Sequence, residues 1–443
     1  CNLFQRNRWP QRIGLTASER RHLVTKSRSL AHQLLMSVET DGVYPNILLP
    51  KMLASSGLDK KDRGFLQELA YGCMRMQIQY DAIIGVMTDI KKLDTDVLIT
   101  LRLALHELVN MRTGDHAAVD QYVELTKTFK PKASGLVNAL LRRFTREKEQ
   151  LVAEATRDGA DLEALYGHPR WIIDALTASR ELDGASNVVS LLEINNKSPR
   201  PQMVALPPTP IPEGADALTL SEIGFEPKEE EVSENYRYQD QGSQLVTQIA
   251  TKASQNGRWL DMCAGPGGKA SLLASIAKQR DSTLTAIELY PHRAKLVSES
   301  LKGFDNTTVH TADATSFEYQ DKYELVLIDA PCTGLGALRR KPESRHNKKP
   351  AQLQELNKTQ RALLDTASSL VVPNGIVAYI TCSPVIEETT AVARWFLDAH
   401  KDFVLLPWYD YSDIEANMNR KTLQLWSDIH NSDCMFLALF QKQ

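Results

Sequence analysis

Cysteine is scarce in this sequence, with six residues scattered along 443 positions. That number and spacing exclude a disulfide framework, and no Cys-x-x-Cys or His-x-x-x-His pair indicates a metal site. The chain also lacks any run approaching the roughly 18 apolar residues of a membrane span, and nothing near its start resembles a signal peptide. We therefore expect a reduced, cytoplasmic protein that needs neither a metal nor a membrane.

A strong charge of either sign is missing too, since the net charge is −3 at neutral pH. This balance indicates no general affinity for nucleic acid, so any RNA-binding surface has to be local. Hydrophobic residues make up 42% of the chain and charged residues 24%, as in an ordinary soluble globular protein. At this length we expect two or three domains rather than a single core.

Local basic clusters are the candidates for an RNA-binding surface. They are the tail with Arg6, Arg8 and Arg12, the group Arg142, Arg143 and Arg146, and the stretch from Leu338 to Lys349. The last is the strongest and directly follows the loop that contains Cys332. Each cluster is either a phosphate-binding surface or an ordinary solvated face, and the sequence leaves both interpretations open.

Helical periodicity runs from about residue 18 to residue 150. Within the segment 96–111, for example, apolar residues recur at Leu98, Leu101, Leu105 and Leu108. The pattern predicts an all-α bundle of six or seven helices without catalytic residues. The glycines expected to end or turn these helices are Gly42, Gly57, Gly72 and Gly114.

A proline-rich connector follows, at about residues 160–235. Six prolines between Pro199 and Pro212 exclude a long helix there, whereas Val204 and Leu206 predict a short strand in a small α+β module.

The remainder of the chain alternates strand and helix, which is typical of a doubly wound α/β sheet. The predicted strands are 258–262, 283–288, 307–311, 324–329, 376–381 and 434–440. The predicted helices are 243–252, 269–279, 291–302, 352–371 and 387–399.

Two cysteines directly follow two of these strands. Asp329-Ala330-Pro331-Cys332 ends one apolar run, and Thr381-Cys382-Ser383 ends another. In a parallel sheet the carboxyl ends of the strands open into one crevice, so we expect both thiols there. Taken singly, each cysteine is more simply explained as a small buried apolar residue.

A glycine-rich turn from Cys263 to Lys269 follows strand 258–262 and precedes a helix. Such a turn lets a ligand approach the backbone, and alone it binds a dinucleotide, a phosphate or nothing. Two acids at the ends of the next strands narrow the choice, because Glu288 suits ribose hydroxyls and Asp313 the adenine amino group. The full Gly-x-Gly-x-x-Gly pattern is missing, so a nucleoside without pyrophosphate fits better, and S-adenosylmethionine is the natural candidate.

With these motifs, the chain resembles the Sun, or RsmB-type, ribosomal RNA 5-methylcytosine methyltransferases. The matching strings are Asp240 to Gln244, Cys263 to Lys269, Asp329 to Gly334, and Thr381 to Pro384 with Glu387. The helical segment resembles the NusB-type RNA-binding domain through Ala117 to Leu125 and Gly135 to Arg143. Departures are Arg345-His346, where the family usually has a tryptophan after the basic residue, and Tyr236-Arg237-Tyr238, where a clear apolar strand is expected.

The resemblance implies a multidomain protein in three parts. These are a NusB-like RNA-binding helical domain at 16–155, a connector with a small α+β module at 160–235, and a Rossmann-like methyltransferase domain at 236–443. It implies a monomer that acts on RNA, most directly small-subunit ribosomal RNA, with S-adenosylmethionine as methyl donor. The implied donor-binding residues are Cys263, Ala264, Gly265, Pro266, Gly267, Gly268, Lys269, Glu288, Arg293, Asp313 and Asp329.

Carbon 5 of cytosine is a poor nucleophile, and a thiolate added to carbon 6 makes it reactive toward a methyl group. The resemblance assigns this attack to Cys382 and the later release of product to Cys332. Asp329 would bond ring nitrogen 3 and the exocyclic amine, which requires it to be protonated or to share a proton with the base. The base must also be unstacked to expose carbon 6.

Two other functions stay open at the level of sequence. The helical domain also suits an RNA-binding assembly factor whose methyltransferase fold is only a scaffold. The same chemistry on transfer RNA, or on DNA, is the other alternative.

Overall fold

The protein is described by a computed structural model that covers residues 26–185, 187–228 and 233–443. The chain divides into two compact units, one ending at Gly167 and the other running from His168 to Gln443. The predicted boundaries near residues 155–160 and 235 stay predictions. The basic tail with Arg6, Arg8 and Arg12 lies outside the described residues.

From residue 26 onward the first unit is all-α, as the periodicity predicted. Its helices are Lys26–Asp41, Pro45–Ser56, Lys60–Arg75, Gln77–Met87, Thr95–Asn110, Asp115–Phe129, Ser134–Thr156 and Leu162–Tyr166. Their apolar faces meet in one core, in which Leu34, Leu69, Leu101 and Leu105 are fully buried. Arg143 pairs with Glu147 one turn away at 2.9 Å, so part of the predicted basic cluster is balanced on its own helix.

Gly72 departs from its predicted role. Gly42 and Gly57 follow helix ends with left-handed φ values of 63° and 64°, whereas Gly72 lies inside the helix Lys60–Arg75. A Cβ atom at this position would lie 2.2 Å from the ring of His106. The glycine therefore allows two helices to approach closely instead of ending one, and that contact between distant residues is not visible in a local pattern.

The second unit opens with the helices Arg170–Leu182 and Val189–Asn195 and a small antiparallel sheet. Its strands are β1 (Met203–Ala205), β2 (Asp216–Ala217), β3 (Gly224–Glu226) and β4 (Tyr236–Tyr238), in the order β2-β3-β1-β4. The strand predicted around Val204 is confirmed. Tyr236-Arg237-Tyr238 is one of the two edge strands and is partly exposed, so it needs no continuous apolar run.

The large sheet contains eight strands. They are β5 (Arg258–Asp261), β6 (Thr283–Glu288), β7 (Thr307–Thr311), β8 (Tyr323–Asp329), β9 (Val371–Thr381), β10 (Phe403–Leu406), β11 (Leu423–Gln424) and β12 (Phe436–Lys442). Along the sheet the order is β10-β12-β9-β8-β5-β6-β7, with β11 paired to β12. Strands β5 to β9 are parallel, and β12 is antiparallel to β9.

Helices cover the faces of this sheet. They are Gln241–Ala253, Gly268–Gln279, Pro291–Ser300, Gln352–Leu370 and Thr390–Ala399, while the short helices Ser344–Asn347 and Ser427–His430 lie in the connections between strands. Because both faces are covered, the central strands are continuous apolar runs, and Leu325 to Ile328 and Ile376 to Ile380 are buried throughout. The six predicted strands of this sheet are confirmed, while β10 and β11, only four and two residues long, were missed. The strand order brings the carboxyl ends of β5, β6, β8 and β9 to one edge.

Candidate active site

Cys332 and Cys382 leave the carboxyl ends of the neighbouring parallel strands β8 and β9. Their Sγ atoms are 3.4 Å apart, within hydrogen-bonding distance for sulfur. The hydroxyl groups of the next residues, Thr333 and Ser383, are 3.1 Å apart and tie the two loops together. Both cysteines are half-buried, so the thiol pair is partly open to a substrate.

The surroundings of the two thiols differ in charge. A hydrogen bond from the thiol of Cys332 lowers the pKa of Cys382, and the ammonium groups of Lys341 and Lys269 lower it further, against the opposing effects of burial and Asp329. The pKa of Cys332 is raised well above its usual value by the same hydrogen bond, by burial and by the nearby Glu388. Cys382 is therefore the better thiolate, and Cys332 the hydrogen-bond donor.

Asp329 ends β8 beside the thiols and is paired with Lys269. The ammonium Nζ donates to Asp329 Oδ2 at 2.9 Å. Burial acts to lower the pKa of Lys269, but the carboxylate of Asp329 outweighs it and the pKa is raised. Asp329 is thus paired with a cation, and Lys269, which was expected only to bind the methyl donor, links the glycine-rich turn to the thiols.

Glu288 ends β6 and reaches back to the glycine-rich turn. Its Oε2 atom accepts from the N–H of Gly265 at 3.0 Å and its Oε1 from the N–H of Tyr290 at 2.9 Å, while Arg293 Nη2 lies 3.6 Å away. A Cβ atom on residue 265 would lie 2.1 Å from Oε2, so only glycine allows this approach. Each carboxylate oxygen keeps a second lone pair for a ribose hydroxyl.

The rest of the turn joins β5 to the helix Gly268–Gln279. Ala264 donates its N–H to the carbonyl of Ile287 in β6 at 2.9 Å, and Pro266 and Gly267 follow at the start of the helix. The pKa of the Cys263 thiol is raised well above its usual value by burial. That thiol is therefore neutral, and the turn offers its backbone rather than a charged side chain.

Asp313 follows β7 and is exposed. Its Oδ1 accepts from the N–H and the hydroxyl of Thr315 at 2.8 and 2.7 Å. Asp313 lies near Glu288, because the preceding residue, Ala312, donates its backbone N–H to the carbonyl of Glu288 at 3.1 Å.

Asp261, the last residue of β5, was missed by the sequence analysis. It is fully buried, and its Oδ2 has no hydrogen-bond partner among the described residues. Burial, then the charge of Asp329, raises its pKa to about 7. A buried carboxylate with one unsatisfied oxygen suits a cationic ligand, and its position just before the glycine-rich turn was the available signal. Together, Asp261, Glu288 and the Gly265 turn fit a nucleoside that carries positive charge.

The basic stretch from Leu338 to Lys349 is bound largely to the protein itself. Arg340 forms a salt bridge with Asp433, and buried Arg345 donates to Asn196 Oδ1 at 2.7 Å. Arg345, at the departure from the family pattern, therefore anchors the loop. Phosphate binding by this stretch stays a prediction. Its best candidate is the exposed Lys341, whose positive charge also lowers the pKa of Cys382.

Within residues 26–185, 187–228 and 233–443, no helix is long and apolar enough to cross a membrane. The same residues contain no group of three or more His, Cys, Asp or Glu side chains arranged to hold a metal ion.

Known proteins share this combination of units. The family of 16S rRNA methyltransferases RsmB/F matches residues 248–441, and the NusB family matches residues 25–146. A Mycobacterium tuberculosis protein named as a methyltransferase is 33% identical over 461 residues, which are 96% of this chain and 98% of that protein. Ribosomal RNA small subunit methyltransferase B of Escherichia fergusonii is 28% identical over 404 residues, or 85% of this chain and 90% of that protein. The crystal structure of PH0851 has the same fold, with a TM-score of 0.74 at 20% identity over 95% of this chain and 99% of that chain.

Proposed function

Because the chain belongs to the RsmB/F family of S-adenosylmethionine-dependent RNA methyltransferases, we propose that it methylates carbon 5 of a cytosine in small-subunit ribosomal RNA through a covalent bond from Cys382. The observation that carries this proposal is the thiol pair, with sulfur atoms 3.4 Å apart beside Asp329. An enzyme that methylates carbon 5 of cytosine needs one thiol to attack and a second group to assist release, and an amino-group methyltransferase needs neither.

S-adenosylmethionine, when bound, supplies a methyl group carried on a sulfonium. The residues that would hold it are Cys263 to Lys269, Glu288, Arg293, Asp313 and Asp329. Glu288 would accept the ribose hydroxyls with its remaining lone pairs, and the N-terminus of the helix Gly268–Gln279 would offer free N–H groups to the anionic end. Asp261 would join this set, because its unpaired Oδ2 atom could accept a hydrogen bond from the positively charged end of the donor.

Attack begins at Cys382, whose sulfur supplies the electron pair for the new bond to carbon 6 of the cytosine. The lowered pKa of Cys382 supports this role, because the thiolate is the nucleophile. Asp329 would orient the base by accepting a hydrogen bond from the exocyclic amine, and the Lys269 ammonium bonded to Asp329 at 2.9 Å would stabilise the negative charge that moves into the ring. Lys269 would also be a proton source for ring nitrogen 3.

Release requires that the proton on carbon 5 pass to solvent water, that the electron pair of that C–H bond re-form the double bond between carbons 5 and 6, and that Cys382 depart as a thiolate. The thiol of Cys332 at 3.4 Å supports a role in this step, since its S–H stabilises the departing sulfur by a hydrogen bond. Its raised pKa keeps that proton on Cys332 during the attack.

The test is to incubate the purified protein with methyl-labelled donor and small-subunit ribosomal RNA, and to separate the nucleosides after digestion. We expect the label in 5-methylcytidine. Label in another nucleoside, or none while an active control enzyme labels the same RNA, overturns the proposal. A parallel incubation with transfer RNA distinguishes the two RNA substrates, and mass-spectrometric mapping identifies the modified position.

Calorimetry with S-adenosylmethionine separates the enzyme from a non-catalytic RNA-binding factor. An enzyme binds the donor in the absence of RNA, and a scaffold that has lost catalysis has no need to.

A further inference from the structure

Glu388 is a fully buried carboxylate close to the thiols. It closes the short turn Ile386–Glu388 that follows the Cys382 loop, next to the exposed Glu387. Its Oε1 accepts from the N–H of Thr333 at 2.8 Å, and its Oε2 from the Thr333 hydroxyl at 2.6 Å. Both oxygens of one carboxylate therefore hold the residue directly after Cys332.

Gln360 holds the other side of the same loop. Its Nε2 donates to the carbonyl of Pro331 at 2.9 Å and lies 3.4 Å from Glu388 Oε1. Pro331 and Thr333 are the residues directly before and after Cys332. The backbone at Cys332 is therefore held on both sides, by Gln360 and by Glu388. Glu388 itself is held in turn, because the buried Tyr379 hydroxyl donates to its backbone carbonyl at 2.7 Å.

The Glu388 carboxylate contacts the backbone N–H and the hydroxyl of Thr333 and the amide NH2 group of Gln360. All three groups can donate a hydrogen bond, as an ionised carboxylate requires, because it can only accept. The titratable groups that face it are Cys332 and Tyr379, with Cys382 beyond Cys332. Cys382 faces Lys269, Lys341 and Asp329 instead. Negative charge thus lies on the Cys332 side of the pair and two ammonium groups on the Cys382 side.

We propose that Glu388 is a positioning residue that decides which thiol attacks. It fixes the loop that carries Cys332 and keeps the proton of the pair on Cys332, which leaves Cys382 as the thiolate. The inference rests on the proposed function, because that function gives the two thiols their roles in the reaction. The difference in reactivity between the two thiols is nevertheless a property of the protein without RNA and can be measured there.

The experiment compares Glu388→Gln, which keeps the shape and removes the charge, with Glu387→Gln as the matched control. Each full-length protein, without RNA, is treated with limiting iodoacetamide between about pH 6 and pH 9, a range around the ordinary thiol pKa. Peptide mass spectrometry gives the ratio of alkylation at Cys382 to alkylation at Cys332. Wild type and Glu387→Gln should react mainly at Cys382 at the lower pH values.

In Glu388→Gln the ratio should fall by roughly tenfold, the change that one pKa unit produces, and its pH profile should flatten. A merely structural role would lower the melting temperature without moving this ratio. An unchanged ratio in folded Glu388→Gln overturns the proposal.

Where Glu388→Gln does not fold, Glu388→Asp decides, because it keeps the negative charge on a side chain that is one methylene shorter. The proposal requires that Glu388→Asp still reacts mainly at Cys382, and equal labelling overturns it. The two proposals fail separately. Formation of 5-methylcytidine with an unchanged alkylation ratio rejects only the role of Glu388, and the expected ratio without 5-methylcytidine rejects only the proposed reaction.

Discussion

The Sγ atoms of Cys332 and Cys382 lie 3.4 Å apart, although the two residues are 50 positions apart in the chain. Strands β8 and β9 run parallel with Asp329 opposite Ile380, so each strand delivers its cysteine to the same edge of the sheet. A parallel pair needs a long crossover, which here includes the helix Gln352–Leu370. The two thiols therefore meet at one edge of the sheet, although the charged groups around each of them differ.

Loss of each thiol should have a different effect. Cys382→Ala should abolish methyl transfer, because the attacking thiolate is gone. Cys332→Ala should allow attack but hinder release, so a covalent protein–RNA adduct should accumulate as a slow band on a denaturing gel. Cys73→Ala, which changes a buried thiol in the first unit, should form no such band. If the two phenotypes are exchanged, the assigned roles are reversed.

Lys269 should shift the pH dependence of Cys382. A lowered pKa makes Cys382 reactive toward iodoacetamide at a lower pH than an ordinary thiol, whose pKa is about 8.5. In Lys269→Met the thiolate loses a nearby cation, so its pKa rises and the alkylation profile moves to higher pH. Lys278→Met, on the same helix and paired at the surface with Asp305, is the control and should leave the profile in place. Coincident midpoints for wild type and Lys269→Met would contradict the assignment.

Glu288 should govern donor affinity. Glu288→Gln replaces a charged acceptor by a neutral amide, and the loss of charge-assisted hydrogen bonds should weaken S-adenosylmethionine binding by about one to two orders of magnitude. Isothermal titration calorimetry measures the change. Glu299→Gln, at an exposed position on the helix Pro291–Ser300, should bind as wild type does. Equal affinities for the two variants would remove Glu288 from the donor site.

Arg180 should matter for stability rather than for chemistry. Its guanidinium bonds both oxygens of Asp428 at 3.1 and 2.9 Å, with side-chain exposures of only 5% and 10%. Arg180→Met leaves that carboxylate buried without its cation, at a cost of about 3–5 kcal/mol in the free energy of unfolding.

The matched control lies on the same helix, where Arg170 pairs with Asp174 at 2.8 Å in solvent. Arg170→Met should cost less than about 1 kcal/mol. Urea unfolding of the full-length proteins measures both values, and equal losses for the two variants would show that burial does not set the strength of the pair.

Much of the fold was predictable because its signals are local. The runs Leu325 to Ile328 and Ile376 to Ile380 predict buried strands wherever they stand in a chain, and the glycine-rich turn predicts the start of a helix. Gly72 shows the limit of such reasoning. A glycine that ends a helix and a glycine that lets His106 approach look alike in sequence, and only the packing partner distinguishes them.

The sequence by itself determined the kinds of chemistry available to this protein, namely two thiols after apolar strands, a glycine-rich turn, and acids at strand ends. Each of these is written in a few consecutive residues. Only the tertiary structure decided which charged groups surround each thiol and each acid. The pairing of Lys269 with Asp329, the free oxygen of Asp261 and the contact of Glu388 with Thr333 all join residues from different elements. Electrostatic interactions depend on distance and burial in space, and neither is written in the order of residues along the chain.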